Sequence, residues 1–128
     1  MDPIPNDVVA FIDFAIDCVE QLELLRVLRE APEKKWSADE LGRAVQVKPE
    51  VLDSHLTVMN ARGLLALTGT KNRLCQFGPL PELEGKVEQL LQAYKERPVS
   101  MIRLVYDRAA IRLRAFASAF RLQEDEKK

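Results

Sequence analysis

The side chains that most often carry chemistry in proteins are few in this chain: one histidine, His55, and two cysteines, Cys18 and Cys75. Nucleophilic catalysis needs a general base within hydrogen-bond reach of a serine, cysteine or threonine, and His55 falls on the apolar face of a predicted helix. The sequence contains no glycine-rich phosphate loop, no HExxH and no CxxC motif. Asp13 and Asp17 lie one helical turn apart, as acids on solvated helix faces commonly do. We therefore predict that the chain is not an enzyme.

Both cysteines lie inside apolar periodic segments far apart in sequence, which favours reduced, buried thiols over a redox pair. Neither cysteine has a second metal ligand at helical spacing, so the sequence predicts no metal site and no cofactor. His55 is expected to be partly buried and hydrogen-bonded, and a phosphate contact or a pH-sensitive role is the alternative.

Size and composition predict one globular domain. The chain has 128 residues, 47% of them apolar, and a net charge of −1, and such a chain can bury a core without disulfides or metal. No apolar run approaches the roughly 20 residues that span a bilayer, and the opening MDPIPND lacks the basic start of a signal peptide. We therefore expect a cytoplasmic protein with no membrane partner.

Apolar residues spaced three and four apart, together with helix start and stop signals, predict a mostly helical fold with a small β-hairpin. A long first helix over residues 7–30 is followed by a capping box, Ser37 with Glu40, which starts a short helix. Pro49 suits the first position of the next helix, and Gly63 suits its C-terminal stop. The other predicted elements are helices over residues 38–44, 82–97 and 99–123 and strands over residues 64–67 and 73–77.

The segment from Ser37 to Leu65 resembles the winged helix-turn-helix of bacterial transcription regulators of the ArsR and MarR types. The matching positions are the apolar, glycine and Ser-His-Leu residues of that motif: Leu41, Val47, Leu52, Ser54, His55, Leu56, Met59, Gly63, Leu64 and Leu65. Chain length, the helical pattern and this resemblance together predict a single domain over residues 1–128. Its parts are an N-terminal helix at 7–30, a winged helix-turn-helix core at 36–79 and a C-terminal helical pair at 82–123.

The resemblance further implies that the chain binds duplex DNA as a dimer and regulates transcription. The second helix of the motif would lie in the major groove, and the hairpin, or wing, would lie over the adjacent minor groove. The side chains that these positions would offer to DNA are Lys48, Ser54, Thr57, Asn60, Lys71, Asn72 and Arg73.

Acidic residues on the same helix support a second interpretation. Glu50 and Asp53 occur there, and no lysine or arginine is found from Pro49 through Ala61. Carboxylates are repelled by DNA phosphates, so the winged helix could instead be an interaction module that acts through a partner protein. A small ligand between the helices that gates DNA binding is a variant of the first interpretation.

Charge is unevenly distributed between the two ends of the chain. Residues 1–30 hold seven acidic side chains and two arginines, whereas residues 98–121 hold five arginines and one aspartate. This pattern favours packing of the first helix on the last, within a subunit or across a two-fold axis, over a basic helix lying on a membrane or nucleic acid. The residues predicted for a homodimer or partner interface are Phe11, Phe14, Val19, Tyr106, Leu113, Phe116 and Phe120.

Overall fold

The computed structural model describes residues 4–69 and 73–126, with side chains described up to residue 119. This part of the chain is mostly helical and contains a small three-stranded antiparallel sheet, which confirms the predicted fold class at that level. The elements in chain order are α1 (Asn6–Ala15), α2 (Val19–Glu30), β1 (Trp36–Ser37), α3 (Ala38–Val45), α4 (Pro49–Ala61), β2 (Leu65–Thr68), β3 (Leu74–Phe77), a 3-10 turn (Pro81–Leu83), α5 (Glu84–Glu96) and α6 (Pro98–Glu126).

The prediction of one helix over residues 7–30 is wrong, because the backbone is extended at Ile16 and Cys18 and divides the segment into α1 and α2. A single straight helix of that sequence would present apolar side chains on more than one face. The break turns the chain so that Ile16 is fully buried while Asp17 stays exposed. Gln21 holds this junction, since its Oε1 atom accepts the Asp17 backbone N–H at 2.8 Å.

The short helix α3 begins at the predicted capping box. Ser37 Oγ accepts the Glu40 backbone N–H, and Glu40 Oε1 accepts the Ser37 backbone N–H, each at 3.2 Å. After α3 the chain turns at Gln46, whose left-handed backbone (φ 58°) directs it into α4. Pro49 occupies the first turn of α4, as predicted. Local sequence signals therefore determine the two helices and the turn between them.

Replacing Ser37 with alanine is expected to lower the free energy of unfolding by about 1 kcal/mol, because a backbone N–H at the start of α3 loses its acceptor. Urea denaturation monitored by circular dichroism measures the change. Ser118→Ala is the control, since Ser118 is exposed within α6 and alanine is a good helix former. An equal loss in both variants would contradict a specific role for the cap.

The sequence does not predict the third strand, β1. The sheet order is β1-β3-β2, with Cys75 of β3 paired to Trp36 on one side and to Leu67 on the other. A strand of two residues is too short to show an alternation of apolar and polar side chains, so it can be recognised only from its pairing with β3. Trp36 packs against the core from this strand, and the Lys34 ammonium lies 3.8 Å from the centre of its ring.

A single core joins the helices to the sheet. Leucine and isoleucine dominate it, and fully buried examples are Ile12 of α1, Leu25 of α2, Leu41 of α3, Leu52 of α4 and Leu90 of α5. Cys75 carries the core into the sheet. Within the described ranges, no helix has the length and apolar character to cross a bilayer.

The contact between α1 and α6 explains the uneven distribution of charge. Met101 and Val105 face the core from α6, and at the same helical spacing the next two positions are Arg108 and Arg112. Arg108 donates to both carboxylate oxygens of Asp13 at 2.7 and 2.6 Å, and Arg112 donates to the same carboxylate at 3.3 Å. The hydrogen bond from Arg108 is the main reason that the pKa of Asp13 is lowered. The predicted packing of the first and last segments is therefore confirmed within the chain.

Candidate nucleic-acid interface

Helix α4 has one face in the core and one face in solvent. Leu52, Leu56 and Met59 are buried, as the 3.6-residue period requires. The four side chains of α4 and its N-cap that were predicted to contact DNA are all exposed: Lys48, Ser54, Thr57 and Asn60. The structure therefore brings these residues onto one solvent-facing helix, with Lys48 at its first end.

Arg73, just before β3, reaches back to α4. Its Nη1 atom donates to Thr57 Oγ1 at 2.8 Å and lies 3.4 Å from Asp53 Oδ1. Thr57 Oγ1 in turn donates to the Asp53 backbone carbonyl at 2.9 Å. This arrangement, the Arg73 bridge, ties the hairpin to α4 and sets a cation beside one of its two acids. Lys71 and Asn72 lie outside the described residues.

A second cation near the start of α4 was not identified from the sequence. Arg43 of α3 and Lys48 both line a cleft of about 420 Å³ where α3, the turn at Gln46 and Pro49 meet. Arg43 is exposed on the polar side of α3. The sequence signal for Arg43 was its position one helical turn after Asp39 on the polar side of α3. Charged residues have this spacing on many solvated helices, so it did not single out Arg43.

Exposed apolar side chains interrupt the solvent face of α4. Val51 is 48% exposed and Val58 is 37% exposed. Glu50, next to Val51 in the sequence, is also exposed, and its backbone carbonyl accepts the Ser54 hydroxyl at 3.5 Å. Valine methyl groups can contact a thymine methyl in the major groove or an apolar patch on a protein.

On the inner side of α4, His55 meets Cys18 from the junction between α1 and α2. Cys18 Sγ lies 3.9 Å from His55 Nε2, and Gln21 Nε2 lies 3.3 Å from His55 Nδ1. The prediction of a half-buried, hydrogen-bonded histidine is confirmed. The prediction of no metal site considered only ligands at helical spacing, and the contact of Cys18 with His55 joins segments 37 residues apart. Helical spacing cannot reveal such a contact.

Both thiols are free, as predicted, but only Cys75 is buried, since Cys18 is half-buried. Burial raises the pKa of Cys18 to about 11 and that of Cys75 to about 12. A thiol with so high a pKa is protonated at neutral pH and is a weak nucleophile. Cys75 lies in the core of the sheet and has a structural role.

A cleft of about 610 Å³ lies between α2 and α5. Its walls carry Arg26, Arg29 and Lys95 together with three glutamates, so its charges balance. The Tyr94 hydroxyl donates to Glu23, and burial is the main cause that raises the pKa of Tyr94 to about 12. Because Arg26 and Arg29 are already paired with the three glutamates, the cleft offers little net charge to select a ligand.

The predicted interface residues separate into two groups. Phe14, Tyr106, Leu113 and Phe116 are 59%, 65%, 69% and 70% exposed. Assigning Phe11 to an interface is wrong because its ring is buried in the chain's own core, and Val19 also packs against that core. Both residues belong to the periodic apolar pattern of residues 7–30. Such a pattern cannot distinguish a side chain that faces the core from one that faces an interface. The side chain of Phe120 lies outside the described residues.

No protein-family model, curated protein or solved structure matches this chain. The geometry of α3, α4 and the β2–β3 hairpin is therefore the remaining indication of function.

Proposed function

We propose that the chain is a winged helix-turn-helix module that binds duplex DNA as a dimer and regulates transcription. In this proposal α4 lies in the major groove and the β2–β3 hairpin lies over the adjacent minor groove. The order α3, α4, β2, β3 supports the proposal, because a helix, a tight turn, a second helix and a two-stranded hairpin are the layout expected of such a module.

The Arg73 bridge is the observation that carries the proposal. Asp53 alone would repel phosphate, but Arg73 lies 3.4 Å away and offsets its charge. The same arginine fixes the hairpin relative to α4, so the two elements can fit neighbouring grooves as one surface. Only Glu50 then remains as an acid without such a partner among the described residues of the α4 face.

Two further cations suit the phosphate backbone. Lys48 caps α4, and Arg43 lies across the cleft at the turn, so both would meet a strand that passes the start of α4. Asn60 is exposed with no side-chain hydrogen bond among the described residues, and Ser54 Oγ, which donates to the Glu50 carbonyl, can still accept from a base edge, whereas Thr57 is held by Arg73. We therefore expect modest sequence specificity, with most of the affinity coming from salt-dependent contacts to phosphate.

Replacing Lys48 with alanine tests the orientation of α4. Each phosphate contact contributes about −0.9 to the slope of log affinity against log salt, so a dimer that loses one contact per copy should have a slope shallower by about 2. Fluorescence anisotropy with a random-sequence duplex measures the slope. Lys86→Ala, an exposed lysine of α5 beside α1, is the matched control and should leave the slope unchanged. Equal effects of the two substitutions would contradict the proposed interface.

The alternative function, a protein-interaction module, is favoured by one observation: Val51 and Val58 are exposed on α4 near Glu50. Val51→Lys separates the two functions. If α4 faces DNA, the added cation should tighten binding to duplex; if α4 faces a protein, it should abolish capture of a stoichiometric partner without creating affinity for DNA.

Dimerisation is assigned to the outer part of α6. Its 29 residues make a helix about 44 Å long, and from Leu113 through Ala119 every side chain is exposed. Tyr106, Leu113 and Phe116 lie seven and three residues apart, which is coiled-coil spacing. We infer that a second copy packs on this stripe and that the two α4 helices reach half-sites about one turn of DNA apart.

A further inference from the structure

The one histidine of the chain, one of its two cysteines and a carboxylate converge where α2 begins. Cys18, Glu20 and His55 each place a potential metal-ligating atom within 4.8 Å of the others. Within residues 4–69 and 73–126, this is the one group of three such side chains that meets that distance. Glu20 is exposed and the other two are half-buried, so the group opens to solvent on the carboxylate side.

We propose that Cys18, Glu20 and His55 bind one divalent ion of the zinc class, with a fourth position open to solvent. Thiolate, imidazole and carboxylate are the three side-chain types that bind zinc, and three protein ligands with one open position are common for that ion. Magnesium and calcium prefer oxygen ligands and are disfavoured by the thiol. The proposal concerns a site on the inner side of α4 and does not depend on DNA binding.

The distances are close to those of a loaded site. Zinc binds sulfur at about 2.3 Å and nitrogen at about 2.0 Å, so in a tetrahedral site the two ligand atoms lie about 3.5 Å apart. Cys18 Sγ and His55 Nε2 are already 3.9 Å apart. A carboxylate oxygen of Glu20 lies within 4.8 Å of both atoms, and as an exposed side chain it can move closer by rotation. Binding releases the Cys18 thiol proton to solvent, because only the thiolate coordinates.

Binding of the ion also changes the contact between His55 and Gln21. Gln21 is 1% exposed, and its Oε1 atom is held by the Asp17 N–H, so its amide N–H₂ group faces His55 Nδ1. An ion on Nδ1 displaces that amide. An ion on Nε2 requires the ring proton on Nδ1, and the amide must then turn to accept it. In both cases the junction between α1 and α2 is altered, so the ion couples this junction to α4.

Cobalt(II) is the probe for the site, since it substitutes for zinc and absorbs visible light. Titration of the full chain should give a saturable thiolate-to-cobalt band and tetrahedral visible bands at one ion per chain, and zinc should displace them. Cys18→Ser and His55→Gln should each weaken binding by more than about 100-fold, beyond the loss caused by an outer-shell partner. Zinc should also perturb the Asp17 amide resonance, which a surface carboxylate site would not do.

Two variants keep the test decisive. Cys75→Ala removes the other thiol and should leave the cobalt spectrum unchanged. Glu20→Gln alters an exposed side chain, so the fold stays intact, and it should weaken binding. The absence of a thiolate band at millimolar cobalt, or a band that persists in Cys18→Ser or disappears in Cys75→Ala, would overturn the proposal.

Discussion

Replacing Gly63 with alanine is expected to lower the free energy of unfolding by about 2 kcal/mol. Gly63 follows α4 with φ of 80°, a conformation that costs a residue with a side chain about 1–2 kcal/mol. An added Cβ would also lie 2.5 Å from Leu80 Cδ1, so Leu80 would have to move. The loss matters because a domain of this size is stable by only about 5–15 kcal/mol. Urea denaturation with circular dichroism measures it.

Gly85→Ala is the matched control for this prediction. Gly85 lies in the first turn of α5, and a Cβ added there meets no atom within 4 Å. Alanine is the better helix former, so this variant should be more stable than the native chain by up to about 1 kcal/mol. Opposite signs for the two glycines are the expected result. A neutral Gly63→Ala would contradict the backbone conformation and the packing of Leu80.

Replacing Phe116 with aspartate is expected to convert a dimer to monomers without unfolding the chain. Phe116 is 70% exposed in the single chain, so it contributes little to the core. Burial of a phenylalanine side chain is worth about 1.5–3 kcal/mol, and a symmetric interface loses two of them. The dimer dissociation constant should therefore rise by more than about 100-fold, which sedimentation equilibrium measures.

Val99→Asp tests whether this effect is specific to the outer part of α6. Val99 is 67% exposed, almost the same as Phe116, but it lies in the first turn of α6, where an acid suits the helix dipole. It should leave the dimer intact. A chain that is monomeric before any substitution, or a dimer that survives Phe116→Asp, would contradict the assignment of this interface.

Signals that lie within a few residues of one another predicted the fold well. Ser37 and Glu40 satisfy each other's backbone, and Pro49 and Gly63 set the limits of α4 through their own conformational preferences. The packing of α1 on α6 was also predicted, because opposite net charges at the two ends of the chain indicate which segments attract each other, even though they do not specify which residues pair. The capping box and the limits of α4 each have a cause that a short stretch of sequence contains.

The features that escaped prediction depend on distant partners. The break at Ile16 follows from the shape of the core that receives this side chain, and β1 exists because Cys75 pairs with Trp36. Phe11 occupies a position in the periodic apolar pattern that would also suit an interface residue, but its side chain faces the chain's own core.

The candidate sites show the same difference between features set by local sequence and features set by distant partners. The exposed positions of α4 follow from its period, whereas the Arg73 bridge joins residues 16 and 20 positions apart. The meeting of Cys18 with His55 spans 37 positions. Neither contact has a local spacing rule, so no sequence pattern could have revealed it.

The salt dependence of binding to a random-sequence duplex is the most direct test of the proposed function, because its slope counts phosphate contacts. A dimer that uses Arg43 and Lys48 of each copy makes four such contacts, so log affinity should fall linearly with log salt with a slope of about −3.6 between roughly 50 and 200 mM. Binding should be measurable at micromolar protein in the lower part of this range. No binding at that concentration, or binding that salt does not weaken, would contradict the account.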